Sequence, residues 1–293
     1  MIYEKQNLLD KIRYRTALTY SFIVSQLWPV FKYGNEVPGL FKKWDRLIYN
    51  WNDKFTGELP TKFRMVTWNV ERAYEAQEII DAIPKFNCNL VLLQEVPKIE
   101  EGKNPLFSQA KEFFSYMPVV FFKKKSKSEN FLHFGQLTLS DYNFNSIRKV
   151  PFSRVTFRSH FHNGRRYARR AALYTKFNMG NGKSLGLYNI HCEIFTKASG
   201  RKKQILELME EIESNHDSHV IIAGDFNSWM GRFEPSYKIL KKKGYNRVHH
   251  HGETCGIFLL DNIFCSSNVA FDSRVEYIKG SDHYPIIADI ELL

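Results

Sequence analysis

Cysteine is scarce in this sequence. The four residues, Cys88, Cys192, Cys255 and Cys265, show no C-x-x-C spacing, which argues against a disulfide framework and against a cysteine-rich zinc module. Cys88 and Cys192 lie beside apolar, strand-like runs, where a free thiol serves as a small core residue. A reducing, intracellular setting is therefore expected. Long hydrophobic runs are lacking as well. Residues 17–31 carry no charge, but the stretch is short and is broken by Thr19, Ser21, Ser25, Gln26 and Pro29, too polar for a membrane span. Glu4 and Asp10 sit where a secretory signal would be basic, and no small-residue cleavage site follows. The stretch reads as a helix packed on the protein or a partner, with membrane association of residues 1–60 as the alternative. Acidic residues are outnumbered, 31 against 42 basic, for a net charge of +11. That balance favours anionic partners such as nucleic acid, phosphorylated small molecules or acidic lipid surfaces. With 43% hydrophobic and 15% aromatic residues, the chain has ample material for a core and is not a disordered polymer.

What is present divides at Pro60. Before it, Leu40 or Phe41, Trp44, Leu47, Ile48 and Trp51 fall at helical spacing, so residues 1–60 read as a helical N-terminal extension and 61–293 as the main domain. Strands are expected over Phe63–Trp68, Leu90–Leu93, Val119–Phe122, Ala171–Thr175, Leu185–Ile190, Val220–Gly224, Leu260–Phe264 and Ile286–Ile290. Gly135–Leu139 and Ile147–Val150 are expected to form a hairpin about Asp141-Tyr142-Asn143. Ala76, Ile79, Ile80 and Ile83 mark one helix; Ile205, Leu208, Met209 and Ile212 mark a second, and a third is expected near Ser236–Lys243. Residues 152–170, charged and aromatic without a period, read as a loop or irregular ribbon. Many short strands with intervening helices suggest an α/β fold of two packed sheets, though periodicity alone also admits a single mixed sheet.

Chemistry-bearing residues gather where those strands stop, as they do in open α/β sheets. They are Asn69 and Glu71, Glu95, His191, Asp225 and Asn227, Asp261, and Asp282 with His283. Asp225 and Asn227 alternate about Phe226 and would point to one side if the chain stayed extended. Hard carboxylate and amide oxygens without clustered Cys or His suit Mg²⁺ or Mn²⁺ and argue against zinc, and Glu95 with Asp282 or Glu71 would suffice. His191 and His283 can hold or protonate phosphoryl oxygens, with Asp261 available to orient His283. Three consecutive histidines, His249–His251, lack a fourth ligand and read as solvent-exposed.

The order of the motifs Thr67-Trp68-Asn69, Leu92-Leu93-Gln94-Glu95, Asn189-Ile190-His191, Gly224-Asp225-Phe226-Asn227 and Ser281-Asp282-His283 resembles the endonuclease/exonuclease/phosphatase superfamily, the DNase I-like fold. The resemblance covers residues 63–293 and implies a four-layer α/β sandwich, two mixed β-sheets flanked by helices, that hydrolyses phosphoesters with Mg²⁺ or Mn²⁺. It implies Glu95 as the principal metal ligand, with Glu71 and Asp282 near the metal. Asn69 would touch phosphate or support Asp225. Asp225, with Asn227 beside it, would orient or deprotonate the water. His283, held by Asp261, and His191 would bind the phosphoryl group. The sequence departs from the pattern at Asp141, where the family usually has Arg after the Leu139-Ser140 pair. Residues 189–204 resemble a subgroup pattern of His, Glu193, Arg201 and Gln204, in which Arg201 and Gln204 are read as ties between helix and sheet.

For the substrate, nucleic acid is the first expectation. Lys123–Lys127, Arg154, Arg158, Arg165, Arg166, Arg169 and Arg170, interleaved with Phe152, Phe157, Phe161 and Tyr167, offer phosphate contacts and base stacking. Arg169 or Arg170, at the entry to a strand, is expected to reach the phosphate. A phospholipid or inositol phosphate at a membrane surface is the second reading, and a non-catalytic scaffold the last. The sequence leaves the oligomeric state open.

Overall fold

A computed structural model of the chain describes residues 49–50, 57–73, 75–97, 115–120, 133–153, 155–158, 165–168, 170–180, 182–194, 196–248 and 252–293. The first strands are β1 (Tyr49–Asn50), β2 (Lys62–Asn69), β3 (Leu90–Pro97), β4 (Ser115–Val120), β5 (His133–Ser140) and β6 (Ser146–Pro151). Next come β7 (Val155–Arg158), β8 (Arg165–Ala168), β9 (Ala171–Asn178), β10 (Ser184–His191) and β11 (His219–Asp225). The last are β12 (Asn246–Arg247), β13 (Asp261–Cys265), β14 (Val269–Val275) and β15 (Ile286–Leu292). The helices are α1 (Ala76–Ala82), α2 (Ala198–Asn215) and α3 (Pro235–Lys242).

Seven strands form one sheet in the order β1-β4-β5-β3-β2-β15-β14, and six form the other, β12-β13-β11-β10-β9-β6. Each sheet is mixed: β2–β3 and β10–β11 are parallel and the remaining pairs antiparallel. The period-2 alternation of side chains then decides the layers. In β10 and β11, Leu185, Leu187, Ile221 and Ala223 enter one apolar cluster, while Tyr188, Ile190, Val220 and Ile222 enter another with Ile205, Leu208 and Met209 of α2. In β2, Phe63 and Met65 join the first cluster, and Val66 and Trp68 pack with Ile79 and Ala82 of α1. The first cluster therefore lies between the sheets and the other two lie outside them. The result is the four-layer sandwich, α1 outside one sheet and α2 with α3 outside the other.

Several expectations are corrected. β5 and β6 do not form a hairpin: β5 is already paired on both edges, with β3 and β4, so the chain crosses to the other sheet and β6 pairs with β9. β14 was not anticipated, because Asp272 and Arg274 give this edge strand little apolar character. Tyr49–Asn50, near the end of the expected helical stripe, pair as a short strand with Tyr116 and Ser115. The rest of that stripe, residues 40–48 and Trp51, and the uncharged stretch 17–31 lie outside the described residues, as do Phe121, Phe122 and His249–His251. Within residues 152–170, β7 and β8 form a two-stranded ribbon. Among the described residues no helix is long and apolar enough to cross a membrane.

Candidate active site

Strand parity builds the site. On β2 the between-sheet face runs Phe63, Met65, Thr67, Asn69; on β10 it runs Leu185, Leu187, Asn189, His191; on β11 it runs Ile221, Ala223, Asp225. Each apolar series ends in a polar residue at the strand's C-terminal end. β13 and β15 run antiparallel to these neighbours, so the start of β13 (Asp261) and the loop before β15 (His283) come to the same end of the sandwich. Asp225 and Asp261 are register partners.

Two polar groups result, and Asp225 belongs to the first. Its Oδ2 accepts from Asn69 Nδ2 at 3.0 Å and Asn227 Nδ2 at 3.1 Å, and its Oδ1 accepts from the Asn227 backbone N at 2.8 Å. Asn227 is not extended, as the alternation had suggested; it has φ 48° and folds back onto Asp225, its amide also donating to the Cys192 carbonyl at 2.9 Å. Gly224 is required here: at φ 139° a Cβ would collide with the Ile190 carbonyl of the paired strand. His191 Nε2 lies 3.4 Å from Asp225 Oδ2 and 3.7 Å from Glu95 Oε1. Glu95 itself sits at a break of register between Leu93 and Val96, at φ 56°, a β-bulge that re-aims one side chain at the strand end.

The second group is His283, whose Nδ1 is 2.6 Å from Asp261 Oδ2. Its backbone is fixed by Trp68 Nε1 donating to the His283 carbonyl at 2.9 Å and by the His283 N donating to Ser281 Oγ at 3.1 Å. Thr254 Oγ1 accepts from the Leu260 and Asp261 backbone N atoms, both at 3.0 Å. Asp225, Asp261 and His283 converge, one ligand atom of each lying within 4.8 Å of the others.

Burial pushes the Asp225 carboxyl up to about 7, helped by the nearby Asp261 charge and resisted by His283, Asn227 and Asn69. For His283, burial disfavours the charged ring, but the Asp261 carboxylate, joined by Cys255, more than offsets it and holds the imidazole well above its ordinary value. Arg170, 3% exposed, places its guanidinium 2.7 Å from His191 Nδ1 and 3.5 Å from Glu193 Oε2. A guanidinium can only donate, so His191 Nδ1 accepts and its ring proton sits on Nε2, toward Asp225 and Glu95.

The other expected residues fall as follows. Glu71 opens a 3₁₀ turn at φ 41°, its backbone N donating to Asn69 Oδ1 at 3.1 Å. Asp282 is largely exposed, its Oδ1 4.0 Å from His283 Nε2. Arg169, Lys123–Lys127 and Arg154 lie outside the described residues. Phe152, offered for base stacking, is instead buried in the cluster under α2. Asp141 accepts from Asn89 Nδ2 at 3.1 Å, a surface contact. Arg201 Nε meets Glu234 Oε1 at 2.9 Å, and Gln204 Oε1 accepts from the Glu193 backbone N at 3.0 Å, so both tie α2 to its surroundings.

Sequence reasoning missed a polar plug between the sheets. Gln94 Nε2 donates to Asn189 Oδ1 at 2.8 Å and to Thr67 Oγ1 at 3.1 Å; Asn189 Nδ2 donates to the Leu93 and Leu137 carbonyls at 3.2 and 2.9 Å; Gln136 Nε2 donates to the Asn189 carbonyl at 2.8 Å. The available signal was an amide on the inner parity of an otherwise apolar run.

A profile of the Endonuclease/Exonuclease/phosphatase family matches residues 66–283. A UPF0294 protein of Vibrio campbellii is 28% identical over 241 residues, 79% of this chain and 78% of that one. Among solved structures, an endonuclease/exonuclease/phosphatase from Bacteroides vulgatus superposes with a TM-score of 0.60 at 16% identity, covering 79% of this chain and 99% of that one. D. rerio TDP2, solved with a single-strand DNA product, superposes at 0.57 and 15% identity, covering 78% and 99%. At these identities the structural likeness is one of fold.

Proposed function

The chain belongs to the endonuclease/exonuclease/phosphatase family, and from that premise we propose that it is a Mg²⁺-dependent phosphodiesterase acting on nucleic acid, as a nuclease or end-processing enzyme. The observation that carries the reading is the convergence of Asp225, held by Asn69 and Asn227, with His191 on one side and the His283–Asp261 pair on the other.

The donor set fits a hard divalent cation. Glu95 and Asp282 bring oxygens to the strand ends, with Glu71 expected beside them, and the four carboxylates Glu95, Asp225, Asp261 and Asp282 outnumber the cations His283 and Arg170. Bound there, Mg²⁺ or Mn²⁺ would neutralise a phosphate oxygen and steady the departing alkoxide. The chain's own groups do the positioning. A carboxyl tuned to about 7 is matched to taking a proton from water at neutral pH, and its three donors from Asn69 and Asn227 fix the direction of its remaining lone pairs. In this reading the cationic His283 holds a phosphoryl oxygen, and His191, whose Nε2 proton faces Asp225 and Glu95, donates to the phosphoryl group once it enters between them. Phosphoryl transfer needs placement and charge neutralisation more than covalent chemistry, and these groups provide both.

Nucleic acid is favoured as substrate by the basic balance of the chain, by the arginines and lysines of residues 123–170, and by the single-strand DNA product held by the TDP2 neighbour. The test offers plasmid, single-stranded DNA, RNA, 5′-adduct oligonucleotides, sphingomyelin vesicles and inositol polyphosphates to the purified chain with Mg²⁺, and again with EDTA. Cleavage of one of the nucleic acids, abolished by EDTA, is expected. Turnover confined to vesicles or inositol phosphates would move the protein to the lipid-directed reading.

A further inference from the structure

We propose that Cys255, Asp282 and His283 form a second cation site, selective for a thiophilic ion such as Zn²⁺, whose filling takes His283 away from the substrate and stops turnover. The inhibitory half of this proposal rests on the reading of His283 as a phosphate-binding group; the binding half does not.

One ligand atom from each of the three residues, a sulfur, a carboxylate oxygen and a ring nitrogen, lies within 4.8 Å of the other two. The nitrogen is Nε2, since Nδ1 is engaged by Asp261 at 2.6 Å while Nε2 lies 4.0 Å from Asp282 Oδ1. A histidine whose second ring nitrogen is held by a carboxylate is the arrangement found behind zinc ligands, where the carboxylate fixes the ring and raises its basicity. Asp261 supplies that carboxylate already in place.

The loop that carries the thiol is tied to the same framework. Cys255 begins a turn closed by the Phe258 N donating to the Cys255 carbonyl at 2.9 Å and the Cys255 N donating to the Phe258 carbonyl at 3.1 Å. Its neighbour Thr254 accepts from the Asp261 backbone through Oγ1 and from the Tyr284 N, at 2.7 Å, through its carbonyl. Cys255 is thus anchored both to the residue orienting His283 and to the residue that follows it. Asp282 is exposed, so a change of rotamer can bring its carboxylate closer to the ring, and the partly exposed Cys255 leaves the site open to a water or a phosphate oxygen as a fourth ligand.

The chemistry separates this site from the one at Glu95. Sulfur, imidazole and carboxylate in a small cluster match Zn²⁺, which binds tetrahedrally with mixed donors; Mg²⁺ takes oxygen and keeps its water. The two ions therefore sort between neighbouring sites that meet at Asp282, the sulfur and imidazole setting the zinc site apart. Zinc on Nε2 would occupy the atom that meets the phosphoryl oxygen, so Mg²⁺ would no longer be enough for turnover. No electron transfer or covalent step is involved; binding releases the Cys255 thiol proton and the Nε2 proton of His283 to solvent, while Nδ1 keeps its proton on Asp261.

The test uses the full chain stripped of metal with EDTA. Cobalt(II) is titrated as a spectroscopic stand-in for zinc, and Zn²⁺ affinity is measured by competition with a chromophoric chelator. The wild-type chain should show the near-ultraviolet thiolate-to-cobalt absorption, and its Zn²⁺ affinity should fall by at least about tenfold in Cys255→Ser and in the exposed variant Asp282→Asn. Cys255→Ser should retain its Mg²⁺-dependent turnover and lose its sensitivity to Zn²⁺. Absence of the absorption in the wild-type chain, or Zn²⁺ affinity unchanged in both variants, overturns the site. Zinc inhibition that persists in Cys255→Ser overturns the inhibitory role. If none of the phosphoesters is cleaved, the proposed hydrolysis fails while the cobalt and chelator measurements still decide whether the site exists.

Discussion

Asp225 is the residue on which local chemistry and fold stability pull in opposite directions. Its carboxyl is pushed up to about 7 from an ordinary value near 3.8, so the folded chain binds its proton more tightly than the unfolded chain does. The sign follows: the stabilising contribution is full below the unfolded value and is lost as pH rises through the folded one. Replacing Asp225 with Asn should therefore raise the melting temperature in EDTA at pH 8, with the gain shrinking toward pH 4; a gain that grew on acidification would contradict the burial argument. The same variant should lose nearly all hydrolysis, a fall of about 10²–10⁴ for removal of a general base. Arg170 makes a different prediction, because its buried guanidinium lies 2.7 Å from His191 Nδ1. Arg170→Gln should lower kcat by about 10²-fold with little change in KM, as lost orientation does, and Arg170→Lys should recover part of it. The ¹⁵N shifts of the His191 ring should show the proton leaving Nε2 for Nδ1 in Arg170→Gln. A ring unchanged in tautomer would reduce Arg170 to packing.

At the scale of the element, the site is a consequence of strands that end together. Doubly buried runs such as Leu185–Ile190 and Val220–Gly224 are legible in a sequence because apolar residues occupy both parities, and the polar residue that terminates each inner series is legible with them. Pairing is not. Ile147–Val150 looks like the return strand of a hairpin, but the partners that decide its sheet, β9 for it and β3 with β4 for β5, lie elsewhere in the chain. The bulge at Glu95 is equally silent, since nothing in Gln94-Glu95-Val96 marks a left-handed residue. The plug of Gln94 and Asn189 gives the element scale its test. Asn189→Leu would leave Gln94 with Thr67 but without its 2.8 Å acceptor, and would remove the amide donor that meets the Leu93 and Leu137 carbonyls between the sheets. A destabilisation on the order of 3 kcal/mol is expected from urea unfolding, seen as a lower midpoint at constant m. The buried Arg201–Glu234 pair offers a control of another kind: Arg201→Met leaves Glu234 an uncompensated buried charge and should cost about 3–5 kcal/mol, while adding Glu234→Met should restore much of it.

At the scale of the whole molecule, periodicity could not choose between one mixed sheet and two, because strands covered on both faces look alike in either arrangement. What separates them is the register across long sequence distances, such as Ile286 with Thr67 and Leu185 with His219. The charge of +11 is a property of the same scale, and it bears on substrate more directly than any single contact. If the site at Asp225 and His283 takes one phosphate, as proposed, hydrolysis of a small diester such as bis-p-nitrophenyl phosphate should depend weakly on salt. A polynucleotide also lies along whatever basic surface flanks the cleft. Each neighbouring phosphate neutralised there releases counterions and adds about −0.7 to the slope of log affinity against log salt for a single strand. If residues 123–170 supply those contacts, the KM for single-stranded DNA should rise steeply with NaCl, and replacing Lys123, Lys124 and Lys125 with alanine should flatten the slope by roughly one to two units. Turnover of the small diester should be untouched by the same change. Equal salt slopes for DNA and the small diester would mean that the positive charge is a solvated surface, and the nucleic-acid reading would lose its main support.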